Sequence, residues 1–268
     1  MSLPFPAITS RRHPLVQACR DARAGGAGQP LLLDGWHLVQ EARSAGLDVD
    51  AVAVAAEPLE PADRAVLDAL ADAGAQVVRV TADVLQAMSP VRTPSGIVAL
   101  ARRPTHAVDD VFAPPPALVV AAVDVQDPGN VGALVRTAEA LGASGLLAVG
   151  TTADPFAWKA LRASMGSAFR LPIVRLATAG EAMAAAKDRG VQVIALAPRG
   201  GTAPNEVDLG RPTCLLLGGE GPGLPEALVR DADRAVSLPM AAPVESLNVA
   251  VAGALALYEA AGRRARTR

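Results

Sequence analysis

The sequence predicts an α/β protein whose second half is a mostly parallel sheet with helices on both faces. Three observations predict it. Short apolar runs alternate with helical stretches along most of the chain. Leu118 to Val123 is a continuous apolar run, as a strand buried on both faces requires. Helical stretches are repeatedly closed by glycine, at Gly46, Gly74, Gly142 and Gly190.

The first half reads as a small α/β sandwich. Leu31 to Leu33 is a short strand and Trp36 to Ala45 a helix ending at Gly46. Val52 to Val54 is a strand. Pro61 to Ala73 is a helix, with proline at its start and Gly74 just past its end. Gln76 to Val80 is a strand, Asp83 to Met88 a short helix and Ile97 to Leu100 another strand. Residues 104–116, with Pro114-Pro115-Pro116, form a stiff linker, dividing the chain into domains at 1–103 and 117–268.

The second half alternates more plainly. After Leu118 to Val123 come a helix from Val131 to Leu141, a strand from Leu146 to Val149 and a helix from Phe156 to Ala163. Glu181 to Arg189 is a helix, and Val191 to Leu196 and Cys214 to Leu217 are buried strands. Pro225 to Arg230 is a helix, Ala235 to Leu238 a short strand and Leu247 to Ala261 the last helix. Sheets of this kind hold ligands beyond the carboxyl ends of their strands.

Composition sets limits on function. Of 268 residues 51% are hydrophobic but only 3% aromatic, so the core is built from Ala, Val and Leu. A net charge of −2 gives no global sign of nucleic acid. Of the 25 basic residues only Lys159 and Lys187 are lysine, and arginine is the better bidentate partner for phosphate. Arg11, Arg12, Arg20 and Arg23 cluster near the start, and Arg263, Arg264, Arg266 and Arg268 form the tail. Both clusters are solvated ends or places where an RNA backbone rests. Cys19 and Cys214 lie far apart without metal-ligand spacing, and the start lacks the apolar core of a secretory signal. No run is long enough to span a membrane. The expectation is a cytoplasmic protein without metal.

Three loops carry the chemistry. The first, Asp124-Val125-Gln126-Asp127-Pro128-Gly129-Asn130, follows a strand and opens a helix carrying Arg136, expected to point back over the loop. The second, Gly218-Gly219-Glu220-Gly221-Pro222-Gly223-Leu224, exposes backbone groups but lacks dinucleotide spacing, and its carboxylate suits a neutral or cationic ligand. The third runs from Leu238-Pro239-Met240 to Glu245-Ser246-Leu247-Asn248, where Ser246 and Asn248 stand at a helix start. A further stretch, Lys159-Ala160-Leu161-Arg162-Ala163-Ser164-Met165-Gly166-Ser167, offers two cations and two hydroxyls to RNA, although basic residues at a helix end are equally expected on dipole grounds. His13, His37 and His106 lie outside the three loops, which argues against histidine base chemistry.

Taken in order, Asp127 to Ala138, Leu217 to Leu224, and Leu238 to Met240 with Glu245 to Val249 resemble the SpoU (TrmH-like) RNA 2′-O-ribose methyltransferases of the SPOUT superfamily. Ile8 to Gly46, including Leu33 to Ala42, is similar to the family's N-terminal RNA-binding domain. The resemblance implies a deep trefoil knot in the C-terminal domain, S-adenosyl-L-methionine as cofactor, and a homodimer through that domain. It implies backbone contacts to the cofactor around Gly218, Gly219, Leu238, Met240 and Leu247. It implies catalytic or site-building roles for Asn130, Arg136, Glu220, Ser246 and Asn248. Glu220 is expected to brace the site, with Arg136 as one partner. Arg11, Arg12, Lys159, Arg162 and Ser164 are the expected RNA contacts. The two-domain layout favours ribosomal over transfer RNA. A non-catalytic RNA-binding factor and a nucleotide-dependent oxidoreductase are the competing classes.

Overall fold

The computed structural model describes residues 5–26, 28–55 and 59–267, without the side chains of 266 and 267. Arg268, and the side chain of Arg266, therefore lie outside the described residues. The chain divides into two compact units: Met1–Pro104 with Phe156–Phe169, and Thr105–Pro155 with Arg170–Arg268.

The first unit is built from β1 (Ala7–Ile8), α1 (Pro14–Ala24), β2 (Leu31–Asp34), α2 (Trp36–Ser44), β3 (Val49–Ala55), α3 (Pro61–Asp72), β4 (Gln76–Val80), α4 (Ala82–Met88) and β5 (Ile97–Ala101). The strands form one sheet in the order β1-β4-β3-β5-β2, with β5 antiparallel to both neighbours and the other pairs parallel. Alternate residues face opposite sides. Leu32, Ala51, Ala53, Val78 and Val98 pack with Leu15, Val16 and Cys19 of α1 and Val84, Leu85 and Met88 of α4. The other side carries α2 and α3.

Two elements of this unit go beyond what the sequence predicts, β1 and α1. Helix α1 is capped by His13, whose Nδ1 accepts from Leu15 N at 3.2 Å, with Pro14 at the first helical position. Histidine is outside the usual capping set, so the start carries no plain signal.

The second unit contains α5 (Val108–Val111), β6 (Leu118–Val123), α6 (Pro128–Ala140) and β7 (Gly145–Val149). The next helix in the chain, α7 (Trp158–Ser164), groups with the first unit. The second unit then resumes with β8 (Ile173–Leu176), α8 (Ala179–Lys187), β9 (Gln192–Leu196), β10 (Thr213–Gly218), α9 (Glu226–Asp231), β11 (Arg234–Val236) and α10 (Val249–Thr267). Its sheet has the order β11-β9-β10-β6-β7-β8, and every pair is parallel. Val119, Ala121, Leu147, Val193 and Leu216 face Val111 of α5 and Phe112 just after it, and Ala182, Met183 and Ala186 of α8. Helices α6 and α10 pack on one another, α6 also against β7 and α10 against β10. As composition requires, the buried side chains are mainly Val, Leu and Ala.

Three expectations change here. The stiff linker contains helix α5, whose start is closed by Asp110 Oδ2 accepting from Ala107 N at 2.7 Å. Strand β8 follows Pro172 and carries no sequence signal of its own, being only Ile-Val-Arg-Leu. Segment Phe156–Phe169 interrupts the second unit in sequence but belongs with the first. There the Arg103 guanidinium lies 4.7 Å from the centre of the Phe156 ring, and His37 Nε2 is 3.4 Å from Met165 O.

Gly145 opens β7 where a Cβ would stand 2.7 Å from Val111 Cα and 2.9 Å from Pro172 O. Both are backbone atoms that cannot step aside. Gly145→Ala is therefore expected to lower stability by about 1–3 kcal/mol, the usual cost of overpacking, as read by denaturant unfolding followed by circular dichroism.

Candidate active site

Strands β6, β10, β9 and β11 are parallel neighbours, so their carboxyl ends open on one edge of the sheet. From β6 the chain runs outward through β7 and β8 on one side, while β10, β9 and β11 lie on the other. That reversal is where an open α/β sheet leaves a crevice for a ligand. The three chemistry-bearing loops all leave strands at this edge.

The first loop is fixed before it meets anything else. Asp127 caps α6, its Oδ1 accepting from Asn130 N at 2.9 Å, with Pro128 at the first helical position. Asp124, at φ 55°, accepts from Thr151 N at 2.8 Å and Thr151 Oγ1 at 2.9 Å. The buried Thr152 hydroxyl accepts from Val125 N at 3.2 Å and lies 2.8 Å from the carbonyl of Ala122. The second loop presses against this frame. A Cβ on Gly219 would overlap the Asp124 carbonyl, and one on Gly218 would overlap the Gly223–Leu224 backbone. Only glycine permits so close an approach.

A chain of hydrogen bonds then joins all three loops. Asn248 Nδ2 donates to Asn130 Oδ1 at 3.0 Å, and Asn130 Nδ2 donates to Glu220 Oε1 at 2.6 Å. Gln126 N donates to Glu220 Oε2 at 3.1 Å. At the far end Asn248 Oδ1 accepts from Ala250 N at 2.9 Å and Val251 N at 3.3 Å, capping α10. The last helix thus begins at Val249, two residues later than expected, with Asn248 rather than Ser246 as its cap. An ionised carboxylate only accepts, so it sets the direction of both amides. Burial pushes the Glu220 carboxyl up, but hydrogen bonds from Asn130 and from the backbone of Glu220, Gln126 and Asp127 outweigh it. The net shift is downward.

Beside this chain lies a cleft of about 320 Å³. Gly218, Gly219, Leu238, Met240 and Leu247 line it, together with Glu220, Ser246 and Asn248. Eight of the ten predicted catalytic and cofactor positions therefore face one cavity, and a ninth, Asn130, is bonded to two of them. Leu196, Ala197 and Pro198, at the end of β9, form a wall that sequence reasoning missed, because that loop holds no polar motif. Arg136 is the exception. It is exposed on α6 and, among the described residues, makes no hydrogen bond or ion pair. Six residues carry it about 240° around the helix from Asn130. The expected Glu220–Arg136 pair does not form, since the carboxylate is taken up by Asn130 and Gln126 N.

Residues 117–258 match the model of the SpoU rRNA Methylase family, and residues 26–99 match the MRM3-like substrate binding domain. The chain belongs to the SpoU rRNA methylase family. It is 34% identical over 259 residues to an uncharacterized tRNA/rRNA methyltransferase of Synechocystis, covering 94% of this chain and 92% of that protein. It is 33% identical over 232 residues to the 23S rRNA (guanosine(2553)-2′-O)-methyltransferase RlmP of Bacillus subtilis, covering 86% and 88%. Its fold is similar to that of the AdoMet-bound rRNA methyltransferase from Sinorhizobium meliloti, with a TM-score of 0.85, 30% identity and coverage of 96% and 97%.

The SpoU cleft and its glycine loops belong to the second unit, and the predicted RNA contacts fall on the first. Arg11, Arg12, Lys159 and Arg162 are exposed. Arg11 is 3.5 Å from Asp83, and Lys159 Nζ lies 5.6 Å from the centre of the Trp158 ring. Ser164 is fully buried and its hydroxyl donates to Leu161 O at 2.9 Å, so it presents nothing to RNA. The tail is also corrected in part. Arg264 donates to the carbonyls of Pro116, Ala117 and Arg211, and Arg263 to Asn205 O and Glu259, so both arginines fasten α10 to its own unit. Cys19 and Cys214 are buried and unpaired, and burial pushes both thiols up to about 12. Among the described residues there is no cluster of metal-ligating side chains, and no helix is long and apolar enough to cross a membrane.

The depressed Glu220 carboxyl has a sign that can be checked. A group whose pKa is lower in the folded state favours that state above its unfolded pKa, here near 4.5, and loses the advantage as pH falls through the folded value. NMR titration of the Glu220 side-chain carboxyl is expected to give a midpoint below 4.5. Asn130→Ala, which removes the leading donor, is expected to move it upward.

Proposed function

We propose that this protein transfers the methyl group of S-adenosyl-L-methionine to a ribose 2′-hydroxyl of ribosomal RNA. The observation that carries the reading is the Asn248–Asn130–Glu220 chain, closed across three loops beside the cleft at the switch point of the sheet. The cleft's chemistry fits the cofactor. Its walls are leucine, alanine, proline, valine, methionine and backbone, and among the described residues Glu220 is the one charged side chain in its lining, a carboxylate suited to a positively charged ligand. Gly218, Gly219, Leu238, Met240 and Leu247 would hold the cofactor, largely through backbone groups. When bound, it supplies a methyl group already activated by a sulfonium sulfur.

The residues then have three tasks. A ribose hydroxyl has a high pKa, so the developing alkoxide needs electrostatic help. The family resemblance assigns that task to Arg136, an exposed cation on α6 that lies outside the lining of this cleft and has no protein partner among the described residues. Asn130 and Asn248 hold the loops at fixed spacing, and Ser246 adds a neutral hydroxyl at the cleft. Glu220 braces the amides and keeps the cleft negative. Arg11, Arg12, Lys159 and Arg162 are read as backbone contacts to RNA. Ribosomal RNA is favoured by the family description and by the Bacillus relative, whose target is 23S rRNA. The trefoil knot of the resembling family is part of the same reading, supported by the match of residues 117–258 to the SpoU rRNA Methylase family.

A homodimer through the second unit is supported by α10. Val251, Leu255 and Tyr258 recur at helical spacing and are 48%, 46% and 69% exposed, an apolar stripe along one face. Because α10 packs on α6, a partner on this stripe would sit on the helix pair that carries Arg136 and the Asn130–Asn248 bond. Leu255→Asp is expected to convert a dimer in analytical ultracentrifugation to monomer while leaving the far-ultraviolet circular dichroism intact.

The activity is tested by incubating purified protein with labelled cofactor and unmodified ribosomal RNA transcribed in vitro, then identifying the product by mass spectrometry. A 2′-O-methyl nucleoside is expected, and a base-methylated product or none would overturn the reading. Arg136→Ala should lower the rate about 10²–10⁴-fold with cofactor binding little changed.

A further inference from the structure

A second cleft, of about 430 Å³, adjoins the first and shares Pro198, Leu238 and Met240 with it. Among the described residues its lining holds one charged side chain, Arg199, and no acidic one. Arg199 is exposed and, among the described residues, makes no hydrogen bond or ion pair. The turn that carries it is nevertheless held at both ends. Ser237 Oγ accepts from Gly201 N at 2.9 Å and donates to Ala197 O at 2.9 Å. Thr202 N donates to Ala235 O at 2.9 Å, and Ser237 N to Thr202 O at 3.0 Å. The turn 198–201 is thus pinned to β11 and its continuation from both sides, while the guanidinium it carries has no partner among the described residues.

We propose that this second cleft seats the RNA phosphate next to the methylated ribose, with Arg199 as its ligand. The inference rests on the reading above, and the chemistry of the substrate leads to it. In RNA the 2′-hydroxyl and the 3′-phosphate are attached to adjacent ribose carbons. A ribose offered to a cofactor in the first cleft therefore brings an anion close beside it. The two clefts have the matching polarity, a carboxylate in the first and a guanidinium in the second. The second is also of the size in which small ligands are bound, about 300–1,000 Å³. Planar arginine suits a phosphate because it donates two parallel hydrogen bonds. Pro239, Ala242 and Val244 give the cleft an apolar side against which a sugar can rest.

The test compares the wild type with Arg199→Ala and Arg199→Lys, using filter binding of unmodified ribosomal RNA at several salt concentrations without cofactor, and calorimetry of S-adenosyl-L-methionine without RNA. For Arg199→Ala the RNA dissociation constant is expected to rise about 10-fold, the cost of a lost charged hydrogen bond. The slope of log affinity against log salt should fall by about one phosphate contact. Arg199→Lys should retain the slope, and cofactor affinity should stay within about twofold in both variants. Unchanged RNA affinity and slope would overturn the proposal. So would a loss of cofactor affinity with RNA binding intact, because the anion would then be the cofactor's own carboxylate. If the wild type binds RNA with an Arg199-dependent slope yet forms no 2′-O-methyl nucleoside, the anion seat stands and the reading of the reaction fails.

Discussion

Two amides and a carboxylate hold the second unit's working edge together. Asn130 stands between Asn248 and Glu220, accepting from one and donating to the other. Its oxygen and nitrogen are both committed, so its side chain has one orientation and the three loops have one spacing. No loop reaches this arrangement alone. The first is set by Asp127 capping α6, the third by Asn248 capping α10, and the second by glycines that let it lie against the Asp124 carbonyl. Helix capping and site assembly are therefore the same set of bonds. Loss of Asn248 would loosen the start of α10 and the cleft wall together.

The parallel sheet explains why the edge exists at all. All six strands of the second unit point the same way, so every loop leaving a carboxyl end falls on one side. The buried hydroxyl of Thr152 and the carboxylate of Asp124 tie the ends of β6 and β7 before the glycine loop arrives. With few aromatics, the core relies on small aliphatic side chains fitted closely enough that Gly145 has backbone on two sides. Such a scaffold keeps the loop ends from drifting, which positioned hydrogen bonds require.

Most of this was legible in sequence where a local rule acts alone. The apolar run at Leu118–Val123 predicts its strand, and the glycine loop after Leu217 predicts exposed backbone at a strand end, while the lining positions Leu238, Met240 and Leu247 follow from the family resemblance. What was not legible depends on long-range packing. Ser164 reads as a surface hydroxyl beside two cations, yet the structure buries it and turns it onto Leu161 O. Arg263 and Arg264 read as a solvated tail but clamp carbonyls from about 50 to 150 residues away. Segment Phe156–Phe169 sits amid the second unit's strands in sequence and packs with the first unit. His13 caps α1 with a residue outside the usual set, and β8 is too short for a periodic signal.

The unformed Glu220–Arg136 pair is itself informative. A carboxylate bonded to a guanidinium would be neutralised, and the cation would be spent inside the protein. Here neutral donors satisfy Glu220 instead: an amide and backbone N–H groups. Its formal charge survives at the cleft, while hydrogen bonding still holds its carboxyl below the ordinary range. Arg136 and Arg199 are both left without a protein partner among the described residues, one on α6 and the other at the mouth of the neighbouring cleft. Exposed arginines with no internal partner are ordinary on a surface. The significant feature is their separation from a carboxylate whose neutral donors already satisfy it. On the proposed reading, charge of one sign is thereby kept for the cofactor and charge of the other for RNA, and self-pairing would have cancelled both.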